Sequence, residues 1–112
     1  MPKILVIDDD RDICLLLKRF LTKHNYEVAE VYAGKKALEL MNSFTPDLVL
    51  CDFRLDDMDG TTLLVKIKEL LPEVPVIIMT GYSDIKVAVE VMRLGAYDIL
   101  ANRYSPTKFW LP

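Results

Sequence analysis

Residues 48–60 read LVLCDFRLDDMDG, in which a short apolar run stops at a carboxylate and passes into a polar turn. Apolar runs of this length, bounded by turn signals, are typical of fully buried strands and are too short for helices. Asp52 is therefore predicted to lie at the carboxyl end of a strand, the edge at which open α/β sheets bind their ligands. The first apolar stretch, residues 3–7, stops in the same way at three aspartates, 8 to 10. Carboxylates gathered at one edge repel one another, so this edge is predicted to be functional.

Strand-like and helix-like stretches alternate along the whole chain, without a repeat or a low-complexity linker. The strands are predicted at residues 3–7, 26–31, 47–51, 75–79 and 97–100. The residues that suit the starts of the intervening helices are Asp10, Gly34, Asp59 and Ser83. This alternation predicts βαβ units, and the fold class is therefore α/β, a doubly wound five-stranded parallel sheet with helices on both faces.

The spacing of apolar residues predicts which helix faces turn toward the core. In the first helix, which Asn25 is expected to end, the predicted inward residues are Ile13, Leu16, Leu17 and Phe20. In the fourth helix, residues 83–94, they are Ile85, Ala88, Val89 and Met92. A second apolar stripe on the fourth helix consists of Val87, Val91 and Leu94. This stripe is either partly buried under neighbouring loops or a docking or dimerisation face.

Composition indicates one domain of 112 residues with a net charge of −3. The chain has no basic block that would favour direct binding to nucleic acid. It has neither a signal-peptide pattern nor an apolar run near the ~20 residues of a membrane span, so no membrane partner and a cytoplasmic location are expected. Cys14 and Cys51 lack metal-type spacing and are predicted to be buried free thiols, as in a reducing compartment.

Asp8, Asp9 and Asp52 are predicted to meet at the sheet edge as a cluster of oxygen ligands. Like charges this close are unfavourable unless a cation joins them, and Mg²⁺ (or Mn²⁺) suits carboxylates and can share a phosphoryl oxygen. Carboxylates also form acyl phosphates, so one of the three could be a nucleophile. Thr80 offers a hydroxyl at the next strand end, and Gly81 leaves room for an incoming group. The aspartates at 10, 56, 57 and 59 are explained as helix caps and turn formers.

Four motifs occur in a particular order along the chain. They are Ile7-Asp8-Asp9, Asp52 followed by Met58-Asp59-Gly60, Met79-Thr80-Gly81, and Gly95-Ala96-Tyr97-Asp98. Together they resemble the receiver domain of two-component response regulators, of the chemotaxis-regulator kind, over residues 3 to about 100. The resemblance implies a flavodoxin-like sheet of strand order 2-1-3-4-5. It makes residues 1–112 one receiver domain with an atypical tail at 101–112.

The resemblance also implies a function. Asp52 would accept a phosphoryl group from a sensor histidine kinase, in a signalling domain that at most phosphorylates and dephosphorylates itself. Asp9, Asp52 and the backbone carbonyl of Arg54 would hold the metal ion, and Asp8 would support it without contacting it. Thr80 and Gly81 would bind the phosphoryl group and switch the domain. Two alternatives stay open: a degenerate receiver that acts as a phosphorylation-independent interaction or dimerisation module, and an aspartate-nucleophile phosphohydrolase.

The sequence departs from the family pattern near its end. Asn102 stands where a lysine is expected, Arg103 where a proline is expected, and Ile99 where an aromatic residue is expected. The family's last helix is expected to be truncated or absent, because residues 107–111 are barely enough for one turn before Pro112. Apolar surface on the first and fifth strands is then predicted to be open to water. Self-association through this incomplete face, or through the helix at 83–94, is expected, unless residues 109–111 fold back as a lid.

Overall fold

The computed structural model describes residues 1–80 and 85–101, and for Ile85 and Ala101 it describes the backbone alone. Within these ranges the strands are β1 (Lys3–Ile7), β2 (Glu27–Val31), β3 (Leu48–Asp52), β4 (Val76–Thr80) and β5 (Asp98–Ala101). The helices are α1 (Arg11–Lys23), α2 (Gly34–Leu40), α3 (Gly60–Leu70) and α4 (Ile85–Arg93). The predicted alternation of strands and helices is confirmed.

All five strands pair in parallel, in the order β2-β1-β3-β4-β5, as predicted. Four of them begin one residue later than the apolar pattern indicates, and β3, β4 and β5 also end one residue later. The reason is that a ladder depends on backbone hydrogen bonds, which continue past the last apolar side chain. The shift places Asp52 and Thr80 inside their strands rather than just beyond them.

Alternate strand residues point to opposite faces of the sheet and fill two cores. The main core, on the face covered by α2, α3 and α4, includes Ile7, Cys51 and Ile78. The α1-side core, on the other face, includes Val6, Leu50 and Met79. Cys14 and Cys51 are buried free thiols, as predicted. Among the described residues, no helix is both long and apolar enough to cross a membrane.

Helix α1 begins and ends at the predicted residues. The carboxylate of Asp10 accepts hydrogen bonds from the backbone N–H groups of Asp12 and Ile13, at 3.0 and 3.3 Å. At the other end, Asn25 has a φ of +71° and its N–H donates to the carbonyl of Thr22, while Tyr26 donates to Leu21. A left-handed residue with these two bonds is a Schellman motif, which asparagine tolerates better than most residues.

The predicted inward face of α1 is wrong for two of its four residues. Leu16 and Phe20 are 45% and 59% exposed, whereas Ile13 and Cys14 are buried. Leu17 and Leu21 lie one and two turns after Ile13 and pack against the α1-side core. The buried face of α1 is thus centred closer to Cys14 and Leu21 than the predicted face. This is the face that lies on β1 and β2.

The predicted roles of the two apolar stripes of α4 are reversed in the structure. Val91 is fully buried, and Val87 and Leu94 pack against the main core, so this stripe is not a docking face. Val89 and Met92, predicted to point inward, are 58% and 47% exposed. Both stripes have helical spacing, so periodicity cannot decide which of them meets the sheet.

The prediction that apolar surface on the first and fifth strands is open to water holds for β5 but not for β1. Ile4 and Val6 on β1 are buried under α1. Leu100 on β5 is about half exposed, on a strand at the edge of the sheet. Residues 102–112, including the proposed lid at 109–111, lie outside the described residues.

Candidate functional site

Asp8, Asp9 and Asp52 meet at the carboxyl edge of the sheet and form the acidic cluster. Each offers one carboxylate oxygen, and these oxygens all lie within 4.8 Å of one another. Asp8 and Asp52 are 0% exposed, while Asp9 is partly exposed. The predicted cluster is present, and the structure adds that two of its carboxylates lie inside the protein and one at its mouth.

Backbone and side-chain bonds fix Asp8 at the end of β1. Its N–H donates to the carbonyl of Val31 at 3.1 Å, which extends the pairing with β2. Its Oδ1 accepts the N–H of Asp10 at 2.9 Å, and its carbonyl accepts the thiol of Cys14 at 3.3 Å. The contacts with Val31 and Cys14 thus fix the backbone of Asp8, and the bond from Asp10 orients its carboxylate.

The pairing of β3 with β4 places Asp52 near Thr80. Asp52 lies opposite Met79 in the parallel register, and Phe53 N–H donates to the Met79 carbonyl at 2.9 Å. Thr80 is the next residue of β4 and is buried. A hydroxyl and a carboxylate therefore end neighbouring strands at one edge. The predicted neighbour Gly81 lies outside the described residues.

The β3–α3 loop, residues 53–59, follows Asp52 directly and is tightly closed. Arg54 forms an antiparallel bridge with Asp59, and the N–H of Gly60 donates to the Phe53 carbonyl at 2.6 Å. Asp59 also caps α3, since its Oδ1 accepts the N–H of Thr62 at 2.8 Å. The loop thus closes on itself directly after Asp52, and Arg54 follows that carboxylate two residues later in the chain.

Asp57 caps a helix, as predicted for this group of aspartates, but the helix is α2. Its Oδ1 and Oδ2 accept the N–H groups of Gly34 and Lys35, both at 2.9 Å. These hydrogen bonds, from Lys35 and then Gly34, lower the pKa of the Asp57 carboxyl. Sequence reasoning missed this contact, although one signal existed: Ala33 at the start of α2 has no side-chain oxygen with which to cap it.

Cys14 lies beside the acidic cluster and does not take part in its chemistry as a nucleophile. Burial, together with the negative charge of Asp8, raises the pKa of the Cys14 thiol to about 12. The thiolate is the reactive form of cysteine, so this side chain is inert near neutral pH. Among the residues that the structure describes here, the carboxylates of the acidic cluster are therefore better candidates for a nucleophile than this thiol.

The acidic cluster fits a small divalent cation. Its ligands are all carboxylate oxygens, which suit Mg²⁺ and Mn²⁺. Oxygens bound to one Mg²⁺ ion lie about 3 Å apart when adjacent and about 4.2 Å apart when opposite, so oxygens within 4.8 Å of one another can share an ion once they draw together. Because the carboxylates of Asp8 and Asp52 are buried away from water, a bound cation would neutralise two poorly hydrated negative charges.

The divergent positions of the sequence fall in different parts of the fold. Ile99 is partly buried and packs against the main core from β5. Asn102 and Arg103 lie outside the described residues. The side chain of Arg54 is exposed, so any contribution to an ion would come from its backbone.

Comparison with known sequences identifies the family. The family model for the response regulator receiver domain matches residues 4–110. The transcriptional regulatory protein ZraR of Escherichia coli strain K12 is 46% identical over 97 residues, which are 87% of this chain and 22% of that protein. The regulator NtrC of Klebsiella pneumoniae is 40% identical over 99 residues, 88% of this chain and 21% of that protein. The chain thus spans about a fifth of the length of these relatives.

Solved structures agree with this result. The receiver domain of NtrX from Brucella abortus superposes with a TM-score of 0.85 at 36% identity, covering 91% of this chain and 87% of that one. A two-component response regulator from Clostridium difficile gives a TM-score of 0.88 at 30% identity, covering 94% and 86%. The family match, the sheet order and the acidic cluster lead to one conclusion: this chain belongs to the response regulator receiver domains of two-component systems.

Proposed function

We propose that Asp52 accepts a phosphoryl group from the phosphohistidine of a sensor histidine kinase. The observation that carries this proposal is the acidic cluster, in which the buried Asp52 ends β3 with the carboxylates of Asp8 and Asp9 within 4.8 Å. Receiver domains take phosphoryl groups from histidine kinases and bind Mg²⁺ at an acidic pocket, which supports the same reading. No observation on the described residues favours a phosphorylation-independent interaction module.

In the proposed reaction a carboxylate oxygen of Asp52 attacks the phosphorus atom. The new P–O bond makes an acyl phosphate, the P–N bond to the donor imidazole breaks, and the imidazole keeps the electron pair and takes up a proton. Asp52 is an acceptor in this exchange, so the domain signals rather than turns over a substrate. Self-phosphorylation by small donors and self-dephosphorylation are the only reactions proposed for it alone.

Asp9, Asp52 and the backbone carbonyl of Arg54 are proposed to hold Mg²⁺ or Mn²⁺. Asp8, whose orientation is fixed by Asp10 and Cys14, supports the site electrostatically without contacting the ion. A bound ion would supply positive charge next to the phosphoryl oxygens. Without it, a phosphoryl group would enter a site that already contains three carboxylates, and like charges would oppose it.

Thr80 is proposed to donate its hydroxyl to a phosphoryl oxygen, with Gly81 leaving space beside it. The register of β3 with β4 supports this role, since it brings Thr80 to the same edge as Asp52. Thr80 is paired with Ala101 of β5, so a shift at Thr80 reaches the edge strand directly. The signal would pass outward through α4 and β5.

We also propose that this domain binds a second copy of itself. Residues 1–112 are proposed to act as one unit in the cytoplasm. Leu16 and Phe20 on α1 and Leu100 on β5 are exposed apolar residues and are proposed to form the first contact surface. On α4, the apolar residues available for self-association are the exposed Val89 and Met92, rather than the predicted stripe of Val87, Val91 and Leu94. Sedimentation equilibrium of the wild type and of Phe20→Ser tests the first surface, with weaker association expected for the variant.

Chemical trapping tests the proposed acceptor. The protein is incubated with acetyl phosphate and Mg²⁺ and then reduced with borohydride, which converts an aspartyl phosphate to homoserine. Peptide mapping is expected to find homoserine at position 52. Homoserine at position 8 or 9 instead would overturn the assignment of Asp52.

A further inference from the structure

The first turn of α2 is capped by a residue from a distant part of the chain. The residue before the helix, Ala33, provides no side-chain hydrogen bond. The N–H groups of Gly34 and Lys35 donate instead to the two oxygens of Asp57, both at 2.9 Å. Asp57 is an exposed residue of the β3–α3 loop, so these bonds join that loop to α2.

Side-chain packing makes the same connection independently. A Cβ atom placed on Gly34 would lie 2.7 Å from the Cγ and the Sδ of Met58. Met58 therefore rests directly on the backbone of the first turn of α2, in the space that a Cβ at position 34 would occupy. Both Met58 and Leu55 of the loop also pack against the main core.

The loop is thus held at two places. Its base is closed by the bridge between Arg54 and Asp59 and by the hydrogen bond from Gly60 to Phe53. Its tip, residues 55–58, is attached to α2 through Asp57. Arg54 lies between the acidic residue Asp52 and this attached tip, so its backbone is restrained from both sides.

We infer that Asp57 is a positioning residue for the cation site: its two bonds to α2 hold the β3–α3 loop so that the backbone of Arg54 stays at the acidic cluster. This inference rests on the proposed function, because it takes the Arg54 carbonyl as a ligand of the ion. Linkage makes the relation reciprocal. If attachment of the loop strengthens cation binding, cation binding strengthens the attachment by the same factor.

Calorimetric titration with Mg²⁺ tests the inference on four proteins: the wild type, Asp57→Ala, Asp57→Ala combined with Ala33→Ser, and Asp47→Ala. Ala33→Ser offers α2 a local cap, because Ala33 already has the extended backbone of such positions, with φ −147° and ψ 151°. Asp47→Ala is the matched control, because Asp47 accepts a long-range backbone bond from Lys3 at 2.7 Å, at the start of β1.

Asp57→Ala is expected to bind Mg²⁺ about five- to tenfold more weakly than the wild type, at the low end of measured couplings between sites. The double variant is expected to recover thermal stability but not affinity, and Asp47→Ala to bind Mg²⁺ as the wild type does. Full recovery of affinity in the double variant would overturn the inference, because Asp57 would then act only as a helix cap. Wild-type affinity in Asp57→Ala would overturn it as well.

A second measurement needs only the wild type and covers the case in which a variant does not fold. The amide NMR signals of Gly34 and Lys35 are expected to shift on addition of Mg²⁺, while that of Lys3 stays in place. Unchanged signals from Gly34 and Lys35 in a protein that binds Mg²⁺ would contradict the inference but leave the proposed function intact. A wild type that neither binds Mg²⁺ nor takes up a phosphoryl group would overturn both.

Discussion

Asp52 and Met79 are paired in register at the carboxyl ends of β3 and β4, and this pairing carries Thr80 one position beyond Asp52. Backbone bonds, including the one from Phe53 to Met79 at 2.9 Å, therefore bring Asp52 and Thr80 to the same edge of the sheet. The fold does not need the charge of Asp52 for this arrangement. Its side chain can accordingly be changed to separate the effects of charge from those of structure.

Asp52→Asn is expected to raise the free energy of unfolding of the protein in EDTA by about 1 kcal/mol, the scale of one pKa unit, because it removes one of three clustered charges. Mg²⁺ should stabilise the wild type more than the variant, since a ligand stabilises the state that binds it. Urea unfolding with EDTA and with Mg²⁺ measures both effects. Asp56→Asn, which changes an exposed residue of the β3–α3 loop, is the control. Equal stabilisation of the wild type and of Asp52→Asn by Mg²⁺ would contradict the account.

Stability is expected to fall as the pH rises from about 9 toward 12, partly because of Cys14. Burial raises the pKa of this thiol from 9.0 to about 12, so between these values the unfolded chain loses the proton that the folded chain keeps. Deprotonation then favours the unfolded state. Thermal melts of Cys14→Ala should show a shallower decline over this range than those of the wild type.

The side chain of Tyr32 also contributes to the fall in stability at alkaline pH, and it provides a control for Cys14. Desolvation and the neighbouring Glu30 raise the pKa of Tyr32, so Tyr32→Phe should remove a separate part of the decline. Parallel pH profiles for the wild type and Cys14→Ala would mean that the thiol does not titrate differently in the two states.

Gly60→Ala is expected to destabilise the protein by about 2–3 kcal/mol, as overpacking does. A Cβ at Gly60 would lie 2.8 Å from the Cα of Phe53, and backbone at the end of β3 cannot move aside easily. Gly34→Ala is the matched comparison, because its new Cβ would meet only the flexible side chain of Met58. Chemical denaturation should therefore show a clearly smaller loss for Gly34→Ala, and the reverse order would be evidence against the packing described.

Val91→Ala is expected to cost about 2 kcal/mol of stability, because Val91 is fully buried in the main core. Val89→Ala makes the same chemical change two residues away on α4, but Val89 is 58% exposed, and its effect should stay within about 0.5 kcal/mol. The two urea midpoints decide which stripe of α4 faces the sheet. Equal losses would contradict the orientation given above.

The strands could be predicted because strand-like and helix-like stretches alternate in a strict order along the chain, and the acidic cluster because the apolar runs at residues 3–7 and 48–51 stop directly at aspartates. The faces of α1 and α4 could not, because Leu16 and Val89 belong to stripes with the same spacing as the buried ones. The bond between Asp57 and Gly34 joins residues that are 23 positions apart, and no local pattern reports such a contact. Local periodicity is enough to predict helices and strands. Which face of a helix is buried, and which distant residue caps it, depends on packing between these elements.

Intact mass spectrometry under native conditions tests the central claim that Asp52 is the phosphoryl acceptor. The wild type and Asp56→Asn, treated with acetyl phosphate and Mg²⁺, are expected to gain the mass of one phosphoryl group, and Asp52→Asn is expected to gain none. The same spectra report the oligomeric state before and after treatment. Uptake of a phosphoryl group by Asp52→Asn, or none by the wild type while Mg²⁺ is bound, would contradict the account.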